Sequence, residues 1–190
     1  MRARLLALLS LCLVGSAHAA PAGGRDGALC IMTATDREGS SQKLVFGVLA
    51  GATSGFDSTL GERPLPPPPP VPTLELRFMV PSGRGNYPQE ASYVDIRPYG
   101  TRAQRDTFLV RYQAPPSAYP IAVTWESDIR EKCDSMLIVV KEGSRRKSMV
   151  VLPDWKFIIP NDRSSSFTII LYGPRVKDLP SDLNADDLRR

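Results

Sequence analysis

Apolar side chains occur along this chain in short runs, and clusters of Gly, Pro, Asn, Asp and Ser separate the runs. Runs of this kind, rich in β-branched and aromatic residues, predict β-strands. The pattern is clearest in Leu74-Glu75-Leu76-Arg77-Phe78, where apolar and charged residues alternate strictly. Such alternation predicts a strand with one buried face and one face in water. The ten predicted strands are 28–33, 43–49, 74–80, 92–97, 107–113, 121–126, 136–141, 148–152, 155–159 and 167–172.

The arrangement of these strands indicates the fold class. No segment between residues 28 and 172 carries a sustained apolar period of about 3.6 residues, which a helix would need. Many short strands without intervening helices favour two packed antiparallel layers. We therefore predict an all-β, antiparallel β-sandwich, immunoglobulin-like or jelly-roll-like, as a single domain over residues 28–172. Residues 20–27 are predicted to be a disordered linker, and residues 173–190 a polar C-terminal tail.

The N-terminus has the three regions of a secretory signal peptide. Arg2 and Arg4 precede an apolar run of about ten residues, and Ala17-His18-Ala19 supplies a small-x-small cleavage site. We predict a signal peptide over residues 1–19, cleaved near Ala19, and a secreted or periplasmic protein. A buried N-terminal helix is the alternative. A membrane span is not predicted, because spanning needs about 20 apolar residues.

The charge and the cysteines narrow the function classes. A net charge of +4, part of it in the leader, gives no reason to expect a nucleic-acid partner. Once Cys12 leaves with the leader, Cys30 and Cys133 are the remaining cysteines. Disulfides persist in exported proteins, so we predict a Cys30–Cys133 disulfide. Two separate buried thiols are the alternative.

The residue types leave little catalytic chemistry. The chain has one histidine, His18, inside the predicted leader. Histidine-based acid–base catalysis and histidine-ligated zinc are therefore not expected in the mature protein. Paired carboxylates could hydrolyse a glycoside, but Glu75 and Asp95 are interpreted as ordinary surface side chains. We predict no catalytic residue, no metal site and no cofactor.

Three residues are candidates for ligand binding: Trp155, Asp57 and Tyr99. Asp57 follows Gly51-Ala52-Thr53-Ser54-Gly55-Phe56, whose oxygens could help to bind calcium. The alternative is a tight turn with glycines at positive φ, in which Asp57 hydrogen-bonds the backbone. Tyr99 lies near a modest set of arginines, for which a solvated strand face is the default interpretation: Arg97, Arg102, Arg105 and Arg111. Trp125 shares a strand face with Ile121 and Val123 and is predicted to face the core.

Residues 66–70 are five consecutive prolines. Each ring fixes φ and removes a backbone donor, so this run is predicted to be polyproline II and not a central strand. We interpret it as a stiff connector that carries the chain from one strand to the next across the sandwich. A docking site for a proline-recognising domain is the alternative.

A series of short motifs links these segments. The front of the series is Phe46-Gly47, Ala52-Thr53-Ser54-Gly55-Phe56-Asp57, Leu60-Gly61-Glu62, prolines 66–70 and Leu74-Glu75-Leu76-Arg77-Phe78. Weaker motifs follow at Tyr93-Val94-Asp95-Ile96-Arg97-Pro98, Tyr112-Gln113, Tyr119-Pro120-Ile121-Ala122-Val123-Thr124-Trp125 and Phe167-Thr168-Ile169-Ile170-Leu171-Tyr172. The series resembles a β-rich module of secreted bacterial proteins that is often found ahead of a type IX secretion sorting domain. The similarity covers about residues 44–172.

This resemblance implies an exported β-sandwich module with no known catalytic residue set, so no active site is carried over. We expect a non-catalytic module with a structural or protein-interaction role at the cell envelope or outside the cell. Its partner is expected to be a protein or glycan of the cell surface. The alternative is a carbohydrate-binding module, which should present at least two coplanar aromatic rings on an exposed face.

Overall fold

The computed structural model describes residues 25–70, 73–80, 90–126, 128–142, 144–151, 156–179, 184 and 189. The predicted signal peptide and Trp155 lie outside these residues. The strands are β1 Arg25–Thr35, β2 Ser41–Leu49, β3 Glu75–Val80, β4 Glu90–Ser92, β5 Val94–Pro98, β6 Arg105–Gln113, β7 Ile121–Trp125, β8 Cys133–Glu142, β9 Arg145–Val150, β10 Lys156–Ile159, β11 Ser166–Pro174 and β12 Lys177–Leu179. A short helix, α1 Ile129–Lys132, and the 3-10 turns Ser58–Leu60 and Pro116–Ala118 complete the elements.

The strands form two six-stranded sheets. The first has the order β10-β7-β1-β2-β5, with β12 also paired to β1, and the second has the order β4-β3-β6-β11-β8-β9. Neighbouring strands are antiparallel, except that β2 and β5 run parallel. The chain is therefore an all-β sandwich, as the alternation of its residues predicts.

The ten predicted strands all overlap strands of the structure, but some boundaries differ. The predicted strand 92–97 is divided between β4 and β5. β1 begins at Arg25, so residues 25–27 belong to a strand and not to a disordered linker. β11 ends at Pro174 and β12 pairs with β1, so part of the predicted polar tail belongs to the sheets.

Aromatic rings hold the two sheets together. Phe46 of β2 meets Phe108 of β6, with ring centroids 5.1 Å apart, and both pack near Phe78 of β3. Phe157 and Phe167 form a second pair at 5.4 Å. These rings belong to one continuous core of buried side chains between the sheets. Tilted and edge-to-face pairs of this kind are favourable beyond the area that they bury.

A smaller cluster lies on the other side of the first sheet. There the loop after β2 folds back, and Leu60 of its 3-10 turn is buried on the outer face of the sheet. The cluster comprises Leu29, Val45, Leu49, Leu60, Val94 and Ile96. Both faces of β2 are thus buried, which explains its nearly continuous apolar sequence.

Both described cysteines are free thiols buried in the main core, so the predicted Cys30–Cys133 disulfide is wrong. The thiol of Cys133 instead lies 3.4 Å from the carbonyl oxygen of Ile129, to which it donates a hydrogen bond. Burial raises the pKa of both thiols, that of Cys133 to about 11. The residues behave as small apolar side chains, which is the alternative that the sequence left open.

We expect neither thiol to react with iodoacetamide at pH 8 in the folded protein. Burial limits access, and the raised pKa leaves almost no thiolate, the reactive form. Both should react after unfolding in guanidinium chloride. Mass spectrometry of the alkylated protein checks this, and a melting temperature that falls on reduction would show that a disulfide forms after all.

Gly47 sits where no side chain fits. Its φ is +150°, and a Cβ atom there would lie 2.1 Å from the carbonyl oxygen of Ala28 on β1. That distance is far inside van der Waals contact, and the obstacle is backbone of a neighbouring strand. Gly47 therefore allows β1 and β2 to pair closely at the centre of the first sheet.

We expect Gly47→Ala to destabilise the protein more than Gly39→Ala, measured as the free energy of unfolding in urea. Gly39 has a φ of +90° but nothing within 4 Å of a built Cβ. Alanine at position 39 should lower the free energy of unfolding only by the cost of holding a residue with a side chain in a left-handed backbone conformation, about 1–2 kcal/mol. Equal losses for the two variants would show that β1 and β2 adjust freely around residue 47.

Candidate functional site

Asp57 organises the loop that follows β2. It caps the Ser58–Leu60 turn, and its Oδ1 accepts hydrogen bonds from the Thr59 backbone N at 3.1 Å and from the Thr59 hydroxyl at 2.6 Å. Gly51 and Gly61 have φ values of +82° and +88°. This geometry matches the tight turn. Within the described part of the chain, no three or more His, Cys, Asp or Glu side chains gather as a metal site would require.

Glu62 ties this loop to the edge of the first sheet. Its Oε1 accepts a hydrogen bond from the backbone N of Ile96 in β5, and its Oε2 accepts one from the backbone N of Asp57, both at 2.6 Å. The residue is only 1% exposed, and burial raises its pKa to about 7. In the sequence Glu62 is part of the Leu60-Gly61-Glu62 motif, from which its burial was not predicted. Glu62 lies between Gly61, which has a positive φ, and the prolines, and this position is the feature that could have indicated a buried contact.

Asp95 is buried inside the sandwich, so its interpretation as a surface residue is wrong. Because β5 pairs in parallel with β2, Asp95 lies opposite Phe46 on the inner face. It is 0% exposed and forms an ion pair of 2.7 Å with Arg97. The guanidinium of Arg97 in turn lies 5.8 Å from the centre of the Phe108 ring. Burial raises the pKa of Asp95 to about 7 despite the opposing charge of Arg97.

We expect the free energy of unfolding to fall as the pH rises from about 4 to 7. Folding raises the pKa of Glu62 from 4.5 and that of Asp95 from 3.8, each to about 7. The folded chain therefore binds protons that the unfolded chain has released, which favours the folded state at the acidic end of this window. Urea unfolding across the range measures the slope.

Glu62→Gln and Asp95→Asn should each flatten that slope, whatever they do to stability at a single pH. Asp162→Asn, at an exposed turn residue, is the control and should leave the slope unchanged. A slope that stays the same in all three variants would show that neither buried carboxyl titrates in this range.

The proline run crosses the outer face of the second sheet at its β4 end. It connects β2 in the first sheet with β3 in the second, as predicted for a connector, and forms neither helix nor strand. Three hydrogen bonds fix it. The backbone N of Leu65 donates to the Ala91 carbonyl at 2.9 Å, Arg77 Nη1 to the Pro66 carbonyl at 2.7 Å, and Gln113 Nε2 to the Pro69 carbonyl at 3.4 Å.

A groove of about 520 Å³ lies between the prolines and the sheet. We call it the proline groove. Its walls are mostly apolar, and they include Leu65, Pro66, Pro67, Pro68, Met79 and Ala91. Concave apolar sites with a few polar groups are typical of ligand-binding sites.

The proline groove contains a buried ion pair. Glu75 and Arg77 contact each other, and each is 8% exposed. The hydroxyl of Tyr93 also donates to Glu75 Oε1 at 3.2 Å. Strict alternation predicts that these side chains face water, and this prediction is wrong because the prolines cover them. Glu75 Oε2 and Arg77 Nε have no hydrogen-bond partner among the described residues, and both atoms are shielded from solvent.

The described sequence candidates Tyr99 and Asp57 do not line this groove. Tyr99 is half-buried and lines a separate depression with Arg102 and Arg175. The four arginines near it in sequence do not form a cluster. Arg97 pairs with Asp95, Arg102 lies 3.7 Å from Asp134, Arg105 lies over the Tyr172 ring, and Arg111 lines the proline groove.

The described aromatic side chains do not form an exposed platform. The described tyrosines and Trp125 are buried or half-buried, and Trp125 packs against the main core on the side that its strand pattern predicts. The paired rings among the described residues belong to that core. Trp155, the other candidate for ring stacking, lies outside the described residues.

Comparison of the chain with protein-family models, with curated proteins and with solved structures gave no match. The resemblance to the secreted bacterial module therefore stays a prediction. No helix among the described residues is long and apolar enough to cross a membrane.

Proposed function

We propose that this chain is an exported, non-catalytic β-sandwich module that acts by binding, with a structural or protein-interaction role at the cell envelope or outside the cell. The observation that carries the proposal is the proline groove. It combines apolar walls with a buried ion pair between Glu75 and Arg77.

The energetics of the groove favour a ligand. A buried polar atom without a hydrogen bond costs free energy, and here two such atoms lie on adjacent side chains of one cavity. Both atoms are shielded from solvent, so a ligand that supplies one donor and one acceptor removes this cost only when these side chains turn toward it. The apolar walls add affinity by burying its apolar surface.

The polar side chains of the groove are better suited to binding a ligand than to catalysis. Glu75, the most buried carboxylate of the groove, already forms an ion pair with Arg77 and accepts a hydrogen bond from the Tyr93 hydroxyl. The connector that forms one wall is hydrogen-bonded to the sheet along its length. The cavity is therefore largely preformed, which lowers the entropy cost of binding.

A photo-crosslinking residue at Gln113, on the rim of the groove, tests this function in bacterial cells that produce and export the protein. We expect it to form an adduct with a protein of the envelope or the medium. The same residue at Glu38, in the exposed hairpin between β1 and β2, is the control and should form no such adduct. Absence of an adduct at Gln113 would contradict the proposal. A saturable signal on a glycan array would favour the carbohydrate-binding alternative.

A further inference from the structure

Four cationic side chains lie in one row across the outer face of the second sheet. They are Arg77 of β3, Arg111 of β6, Lys141 of β8 and Arg146 of β9, and we call them the basic row. The core-facing residues of these strands alternate with them, so all four point away from the core. The row begins in the proline groove, which Arg77 and Arg111 both line.

The strand register sets this alignment. Arg77 pairs directly with Arg111, and Lys141 pairs directly with Arg146. Ser166 of β11 lies between the two pairs. It pairs with Arg111, and together with Lys141 and Arg146 it lines a shallow depression. With strands about 4.8 Å apart, the row is about 19 Å long.

This row is unfavourable for the isolated chain. Like charges directly opposite each other on neighbouring strands are destabilising. Lys141 and Arg146 form such a pair, whereas the charge of Arg77 opposite Arg111 is already balanced by Glu75. Arg111, Lys141 and Arg146 are exposed, and none of the ion pairs among the described residues involves them. An anionic partner that lies along the row would remove the repulsion.

The proline groove limits the classes of molecule to which the anionic partner can belong. A sulfated or uronic glycan offers many hydrogen-bond acceptors but little apolar surface to pack against the walls of the groove. A flat anionic lipid surface cannot enter a groove behind the prolines. An extended peptide supplies both an apolar side chain for the groove and carboxylates for the row.

We infer that the ligand of this surface is an extended acidic segment of a partner protein, with an apolar residue in the proline groove and carboxylates along the basic row. This inference rests on the proposed function and names its partner class. Side chains on one face of an extended peptide repeat about every 7 Å. About three acidic side chains therefore span the row.

Fluorescence anisotropy of a labelled synthetic peptide tests the inference on the purified protein. The probe is about nine residues long, begins with leucine and valine, and continues with alternating glutamate and valine, so that the leucine and the glutamates share one face. A matched probe carries lysine in place of glutamate. We expect the acidic probe to bind, more weakly as salt is added, and the lysine probe not to bind.

The double variant Lys141→Glu/Arg146→Glu should weaken binding of the acidic probe by about tenfold or more. Arg37→Glu/Arg130→Glu has the same change in net charge at exposed positions outside the row, and it should bind like the unaltered protein.

Ala91→Trp, which fills the groove, should also weaken binding. Lys141→Gln/Arg146→Gln gives a milder variant, and circular dichroism confirms that each variant is folded.

Three results would overturn the inference. Equal losses in the two charge-reversal variants would mean that only net charge matters. Tighter binding of a sulfated oligosaccharide, lost in the same row variants, would assign the surface to a polyanionic glycan. Absence of binding by the acidic probe, together with a crosslink at Gln113, would reject an acidic segment while leaving the proposed function in place.

Discussion

The buried carboxylate of Glu62 is the contact on which the arrangement of this molecule depends. It accepts one backbone N–H from the loop after β2 and one from β5 at the edge of the first sheet. These bonds hold the loop over the outer apolar cluster, where Leu60 is buried. They also fix the point at which the chain leaves the first sheet and starts across the second. Together with the three hydrogen bonds between the connector and the second sheet, this anchor positions the prolines and so the proline groove.

Much of the fold could be predicted from the sequence, because period-2 alternation and turn residues indicate strands whatever their partners are. β12 and α1, which have three and four residues, were missed, and the three-residue β4 was not separated from β5. Segments so short hold no full repeat of either pattern. They form because neighbours present unpaired backbone, as β3 does for β4 and β1 does for β12.

The candidate site could be predicted only in part, because its features depend on tertiary contacts. Alternation identified the face on which Glu75 and Arg77 lie, but not that a proline segment from the other sheet would cover it. In the same way, Asp95 is buried because β5 pairs in parallel with β2, which strand propensity does not reveal. The series of motifs from Phe46 to the prolines has a structural role here: it supplies Gly47, the capped turn and Glu62.

The prolines also affect the edges of the sandwich. A pyrrolidine ring has no amide hydrogen, so the connector beside β4 cannot serve as a template for an added strand. Among the described strands, β9 and β10 are the terminal strands on the opposite side, and they carry the exposed cations Arg145, Arg146, Lys147 and Lys156. Identical copies brought edge to edge there would repel each other. Charged edge strands of this kind are a general means by which β-proteins avoid edge-to-edge aggregation.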